Sequence, residues 1–431
     1  MKKAFLMIVA VLLLCGMASA QQHYTFNVHA WENNMPVTTQ IQIDGVQQTS
    51  TQIELGAFVG DEIRGSVRIG TGTISDQAWL QVYYNESGET VSFKIYDHAT
   101  GEEYPHCATT LTTGIYGWGT TSAPVILNFV TTTYTTSISG FGTGDGNWYL
   151  IASPIGEVNP TEVTTEQGNM LDENGYDLYS FDQTQDMEEW HNYKSDNFVL
   201  EPGKGYLYAN HDDVTLTFAG AAYEGNGTFN LSYDGNSNHP GWNLVGNPFE
   251  ETAYVDRPFY IMNPEGRFEI IAAEGQNSVE AMEGLFVVAS GTGETVTFST
   301  SAPESKGSKV AINLSDGQHV VDRAIIRFDE CSQLPKFQLK TNSTKIYIPI
   351  GNQDYAVVRS EGMGEIPVNF KAEKNGSYTL SFTAENVELG YMHLIDNMNG
   401  NDIDLLQTPS YTFEANVSDS EGRFRVVFTQ Q

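Results

Sequence analysis

Apolar and polar residues alternate at period two along most of the chain, as in Tyr24-Thr25-Phe26-Asn27-Val28 and Val91-Ser92-Phe93-Lys94-Ile95-Tyr96. That period places successive side chains on opposite faces of an extended backbone and predicts half-buried strands. No long segment repeats apolar residues at helical spacing. Asn375-Gly376, flanked by Val368, Phe370 and Ala372 and by Tyr378, Leu380 and Phe382, predicts a hairpin with a type I′ turn, with weaker versions at Asp316-Gly317 and Asp44-Gly45. The expected fold class is all-β, with tandem β-sandwich domains of immunoglobulin-like or jelly-roll-like kind.

The pattern repeats itself in the middle of the chain. Trp148-Tyr149-Leu150-Ile151-Ala152-Ser153-Pro154 is matched by Trp242-Asn243-Leu244-Val245-Gly246-Asn247-Pro248, and Thr215-Leu216-Thr217-Phe218 by Thr295-Val296-Thr297-Phe298. Between these marks each copy holds an aromatic strand (176–181 or 259–262) and a Gly-led apolar strand (205–209 or 284–289). Two copies are too few for a propeller or solenoid, so they are paired halves of one sandwich or barrel, or two small adjacent sandwiches. The Thr-rich stretch 131–136 and the small, polar stretch 299–308 serve as boundaries. The expected organisation is a leader at 1–20, an amino-terminal sandwich at 21–130, a duplicated domain at 131–305 and a carboxy-terminal sandwich at 306–431.

The leader is read from Met1-Lys2-Lys3, the apolar run 4–15 and Ala18-Ser19-Ala20, the charged, apolar and small-residue order of a secretory signal peptide cleaved after Ala20. The run is too short to span a bilayer and no later segment is longer, so no transmembrane segment is expected. Cys15 follows Leu14, where a lipoprotein signal has a small residue. The formal net charge is −33, and loss of Lys2 and Lys3 makes it more negative. Phosphate backbones and anionic membranes repel such a chain, which excludes nucleic acid as a partner and leaves glycans, proteins and cations. Cys107 and Cys331 remain after the leader, far apart and without metal-ligand spacing; a bridge, an intermolecular disulfide and two buried thiols all stay open.

The block Glu54-Leu55-Gly56-Ala57-Phe58-Val59-Gly60-Asp61-Glu62-Ile63-Arg64-Gly65, with Leu80-Gln81-Val82-Tyr83 and Phe93-Lys94-Ile95-Tyr96-Asp97 after it, resembles a module of large secreted surface proteins of the Bacteroidetes. The block from Gly241 to Phe249 and the ending through Leu394-Ile395-Asp396-Asn397, Tyr411-Thr412-Phe413 and 423–428 are similar to other modules of those proteins. The resemblance implies export to the cell surface, the exterior or the periplasm, and implies no particular activity. Proteins of that kind commonly carry a further sorting domain for type IX secretion; no such domain is obvious before Gln431.

No Gly-x-Ser-x-Gly elbow, His-Glu-x-x-His pair or phosphate loop occurs, and the expectation is a non-catalytic protein acting in adhesion or ligand binding. A glycosidase pair is defined by its separation across a cleft, which sequence does not carry. The densest acidic cluster is Asp186, Glu188 and Glu189 beside Trp190. The stretch 396–404 mimics part of a calcium loop, but Met398 and Gln407 occupy ligand positions; no cofactor is expected, and only a looser loop site for calcium stays open. Exposed aromatics are the remaining binding signal, because ring faces stack on sugars and give large contact area. Trp118 and Tyr116, in the glycine-rich run 114–119, lead the candidates, with Trp79, Tyr83 and Trp190 beside them and Trp31 and Tyr84 behind. The competing reading for each ring is core, as expected for Trp148 and Trp242 at equivalent places in the repeat.

Overall fold

The computed structural model describes residues 22–142, 147–171, 175–185, 189–262, 271–274, 278–304, 307–337, 343–361 and 363–430. The leader therefore lies outside the described residues. The described residues are all-β: 52% of them are strand, with no helix of seven or more residues among them. The described residues form two compact units, divided between Thr131 and Thr132.

The amino-terminal unit pairs two sheets around one core. Asn33–Ile43 lies between Ala78–Tyr84, antiparallel, and Val125–Phe129, parallel. The second sheet runs Glu62–Arg68, Ile53–Val59, Thr90–Asp97, Glu102–Tyr104. Met35, Val37 and Ile41 face Leu55, Phe93 and Ile95 across the interior, the inward half of each alternating pattern. Residues 24–28 form no strand. The backbone N–H groups of His23 and Tyr24 donate to the buried Glu54 carboxylate at 2.9 and 3.0 Å instead of to a neighbouring strand, so the segment straps across the sheet. Tyr24 lies edge-on to Phe58, and His23 stacks on Tyr96 at 3.7 Å.

The division between the units falls within the Thr-rich stretch 131–136, whose Thr133–Ile138 is a strand of the second unit paired with Val214–Ala219, as its β-branched composition favours. In each copy of the repeat two four-stranded sheets enclose a small core. One sheet has the order Tyr149–Ala152, Gly205–Asn210, Tyr176–Phe181, Trp190–Asn192 in the first copy, and Trp242–Gly246, Gly284–Val288, Phe259–Met262, Ile271–Glu274 in the second. The copies differ at an edge: Thr164–Thr165 pairs with the following Gly168–Asn169, whereas Ala253–Val255 pairs with the distant Ser278–Val279.

The copies meet at a local two-fold. Ile151 bridges Glu283 and its counterpart Val245 bridges Lys204, the counterpart of Glu283. Gly246 sits in this seam, where an added Cβ would stand 2.3 Å from the Ala152 methyl. Leu150 and Leu207 from one copy and Trp242, Tyr260 and Phe286 from the other then share a core with Ala311, Ile325 and Val357 of the carboxy-terminal part. Gly205–Asn210 is buried throughout because both of its faces are covered, which explains its unbroken apolar character.

The carboxy-terminal part is an eleven-stranded sheet that curls into a nearly closed barrel. Its edge strands Asn401–Asp404 and Ser410–Ala415 approach each other, and the Asn401 side chain donates to the Tyr411 hydroxyl at 3.0 Å. The expected hairpin at Asn375-Gly376 is absent. Met363–Lys371 pairs with Lys345–Ile350 and Phe424–Gln430, and Gly376–Glu385 pairs with Lys309–Ser315 and Ser410–Ala415. The two strands stand on opposite walls with Phe370 and Tyr378 meeting across the interior at 5.2 Å, and neither Asn375 nor Gly376 has a positive φ. Alternation reports which face is inward and is silent about which strand is the neighbour. Asp44-Gly45, with φ of 48° and 77°, is the positive-φ turn that joins paired residues Ile43 and Val46.

Candidate functional site

Loop 114–119 of the amino-terminal unit is the clearest outward-facing apolar feature of the described residues. Ile115 is 78% exposed, Tyr116 81% and Trp118 42%, and Trp118 is the one exposed tryptophan among the described residues. Its backbone is nevertheless held. Trp118 N–H donates to Pro36 O at 3.0 Å, and its carbonyl accepts from Thr38 N–H at 2.9 Å, a parallel bridge opposite Val37. The indole Nε1–H donates to Thr112 O at 3.0 Å. Gly119 has φ +72°, and a Cβ there would stand 2.3 Å from Thr38 O, so this close approach requires glycine. Thr120 and Ala123 exchange backbone hydrogen bonds just beyond, and Gln77 Nε2 donates to Thr121 O at 2.9 Å. Such a loop presents Ile115 and Tyr116 on a fixed base.

The other candidate rings do not join it in one groove. Paired residues of a parallel bridge point to the same face, so Trp118 lies on the Val37 side of its sheet, the side of the core. Trp79 and Tyr83 alternate with Ala78, Leu80, Val82 and Tyr84, which are buried, and so occupy the opposite, outer face. Both are half-buried: Nε1 of Trp79 donates to Gln77 at 3.3 Å, and Tyr83 packs on Phe26 at 5.6 Å. Trp31 is occupied by the Arg64 guanidinium 3.9 Å above its ring, itself forked onto Glu89 at 3.0 and 3.2 Å. In the second unit Trp190 packs edge-on against Phe181 and Phe286, with centroids 5.1 and 6.0 Å away, as part of the core between the copies. Trp242 is buried and Trp148 packs on Tyr179.

The candidate chemistry is otherwise committed to structure. Asp186 and Glu188 lie outside the described residues; Glu189 stands 3.7 Å from His239. Asp396 is no free ligand for calcium: it is buried, accepts from Arg423 Nε and Nη2 at 3.2 and 2.9 Å, from the Tyr411 hydroxyl at 3.0 Å and from Met398 N–H at 3.0 Å. Asp402 is bonded to His393 at 2.6 Å, and Asp404 accepts from Leu406 N–H. No group of three or more His, Cys, Asp or Glu side chains is arranged to hold a metal among the described residues. Cys107 and Cys331 are half-buried and not joined to each other, and the Cys107 thiol donates to Thr109 O at 3.9 Å. No helix among the described residues is long and apolar enough to cross a membrane.

Sequence reasoning passed over two buried polar clusters. Glu54 collects the two strap amides, the Ser66 hydroxyl at 2.6 Å and His98 at 2.6 Å. Lys336 and Asp322 meet inside the second unit at 2.6 Å. The signal for the latter was visible: Asp322 breaks the apolar run of its strand on a buried position. Compared with known proteins, the chain matches no family model, no curated protein and no solved structure.

Proposed function

We propose that this is an exported, non-catalytic binding protein of the surface-protein kind its modules resemble, which contacts a protein ligand through loop 114–119. The observation that carries the reading is the exposure of Ile115 and Tyr116 beside Trp118 on a base fixed by Pro36, Thr38 and Thr112. Large apolar side chains held in water on a rigid loop gain free energy only when a partner covers them, and little conformational entropy is left to lose on contact. The loop carries no charge, so within a chain of net charge −33 it is a neutral spot through which a partner avoids the surrounding repulsion. The separation of Trp118 from Trp79 and Tyr83 onto opposite faces weighs against an extended glycan platform, which needs coplanar rings along one groove.

The test is a binding panel of extracellular matrix proteins and soluble and insoluble polysaccharides, with the wild-type chain and Tyr116→Ala and Ile115→Ser variants. Saturable protein binding weakened at least about tenfold in both variants supports the reading, since a central aromatic contact contributes about 2 kcal/mol or more. Glycan binding lost in Tyr116→Ala replaces it with polysaccharide capture, and binding untouched by either variant removes the loop from the function.

A further inference from the structure

We propose that Lys336 and Asp322 are the two halves of an intramolecular isopeptide bond, formed by the folded chain without an added enzyme. Asp322 stands on Val320–Arg327 at a buried position of a barrel strand, and Lys336 directly follows Leu334–Pro335, which pairs with Gln353–Arg359. Nζ of Lys336 lies 2.6 Å from both Oδ1 and Oδ2 of Asp322, so it faces the carboxyl carbon between them. Both side chains are buried, and Lys336 Nζ makes its other hydrogen bond to Arg323 O at 3.2 Å.

The surroundings fit acyl transfer better than a resting ion pair. A buried pair of opposite charges gains little over an apolar replacement, and this pair, unlike Asp396 with the guanidinium of Arg423, sets a primary amine against the carboxyl. Ile346 N–H donates to Oδ2 at 2.7 Å, where it stabilises the negative charge that develops on that oxygen as an amine adds to the carbon. Burial lowers the pKa of the Lys336 ammonium, against the opposing pull of Asp322, and so favours the neutral amine that attacks. Asp354 lies beside the pair, its carbonyl accepting from the Lys336 backbone N–H at 2.8 Å, and burial lifts the pKa of its carboxyl, which suits it to pass a proton from nitrogen to the departing oxygen. The step balances: Nζ gives up two of the three protons of its ammonium form, an N–Cγ bond replaces the Cγ–Oδ1 bond, and Oδ1 leaves as water. No oxidant or co-substrate is needed. Exclusion of water favours the amide, and fixed contact supplies effective molarities of about 10⁵ M or more.

The bond would fasten the segment on which the second copy of the repeat docks. Pro335 O accepts from the Tyr260 hydroxyl at 3.0 Å, and Phe337 packs on Trp242, Tyr260 and Phe286. A covalent tie there holds the repeat and the barrel together.

The test is tryptic peptide mapping of the purified full chain by tandem mass spectrometry. The expected result is one branched peptide joining the Asp322 and Lys336 segments, lighter by one water than the two together, with no cleavage after Lys336. The Lys336→Arg variant is expected to yield separate peptides at their full masses, and Asp354→Asn to delay or prevent the join. Recovery of separate, full-mass Asp322 and Lys336 peptides from the folded wild-type chain after prolonged incubation overturns the proposal, and it does so whether or not any variant folds.

Discussion

Replacing Asp396 by Ala is expected to be among the most damaging single changes in the barrel. Its carboxylate is buried and takes two bonds from Arg423, one from Tyr411 and one from a backbone amide. Arg423 is buried too, with its guanidinium 4.5 Å over Phe413 and 5.2 Å over Phe424. Truncation strands that cation in an apolar setting, a situation that costs about 3–5 kcal/mol. Arg425, two residues along, and Glu365 form a similar fork at 3.0 and 3.1 Å, but both side chains are exposed. Glu365→Gln is therefore expected to cost less than about 1 kcal/mol, an internal control for geometry without burial. Hydrogen exchange followed by mass spectrometry reads both. In Asp396→Ala the amides of Leu389–Asp396 and Phe424–Gln430 should exchange about a hundredfold faster or more, while Glu365→Gln leaves them within about fivefold. Equal effects in the two variants would refute the argument that burial makes the Asp396 pair structural.

Three further outcomes follow from the packing and the charges. Gly246→Val places side-chain atoms against Ala152 and the Lys204 carbonyl and should cost about 1–3 kcal/mol by overpacking the seam, read as a lower denaturation midpoint. Tyr260→Phe removes an oxygen that donates to Pro335 O and accepts from Phe337 N–H; a loss of about 1–3 kcal/mol is expected, with faster exchange in 334–337. Burial alone lifts the pKa of the Glu54 carboxyl, but the bonds from His23, Ser66, His98 and Tyr24 outweigh it and hold it below the ordinary range. Its stabilising effect is thus complete above the unfolded-state value of about 4.3 and fades as pH falls through the lower folded value. Protection of the strap amides, relative to the intrinsic exchange rate at each pH, should fall below about pH 4 in the wild type, and Glu54→Gln should already show that loss of protection at pH 7.

Period-two alternation made the fold class legible, and the repeated Trp-x-Leu and Thr-x-Thr-Phe strands occupy corresponding places in two sandwiches with the same sheet order. Pairing was not legible at Asn375-Gly376, because inward residues on two strands look alike whether the strands are neighbours or face each other across a core. Residues 24–28 alternate like a strand, yet the amides of His23 and Tyr24 at the start of the segment donate to the Glu54 side chain, about thirty positions away. Among the site candidates, glycine spacing located the exposed loop at Tyr116 and Trp118. Trp190 carries a different signal, an aromatic beside acids, but Phe286 of the other copy covers it, and composition does not say which ring finds such a neighbour.

Loop 114–119 as the contact surface is tested most directly by a hydrogen-exchange footprint of the full chain bound to the ligand found in the binding panel. Protection concentrated in 111–123, with Tyr116→Ala losing at least about tenfold in affinity while the exchange of Asn33–Ile43 stays unchanged, is the predicted result. Protection elsewhere, with 111–123 exchanging as in the free chain, would contradict it.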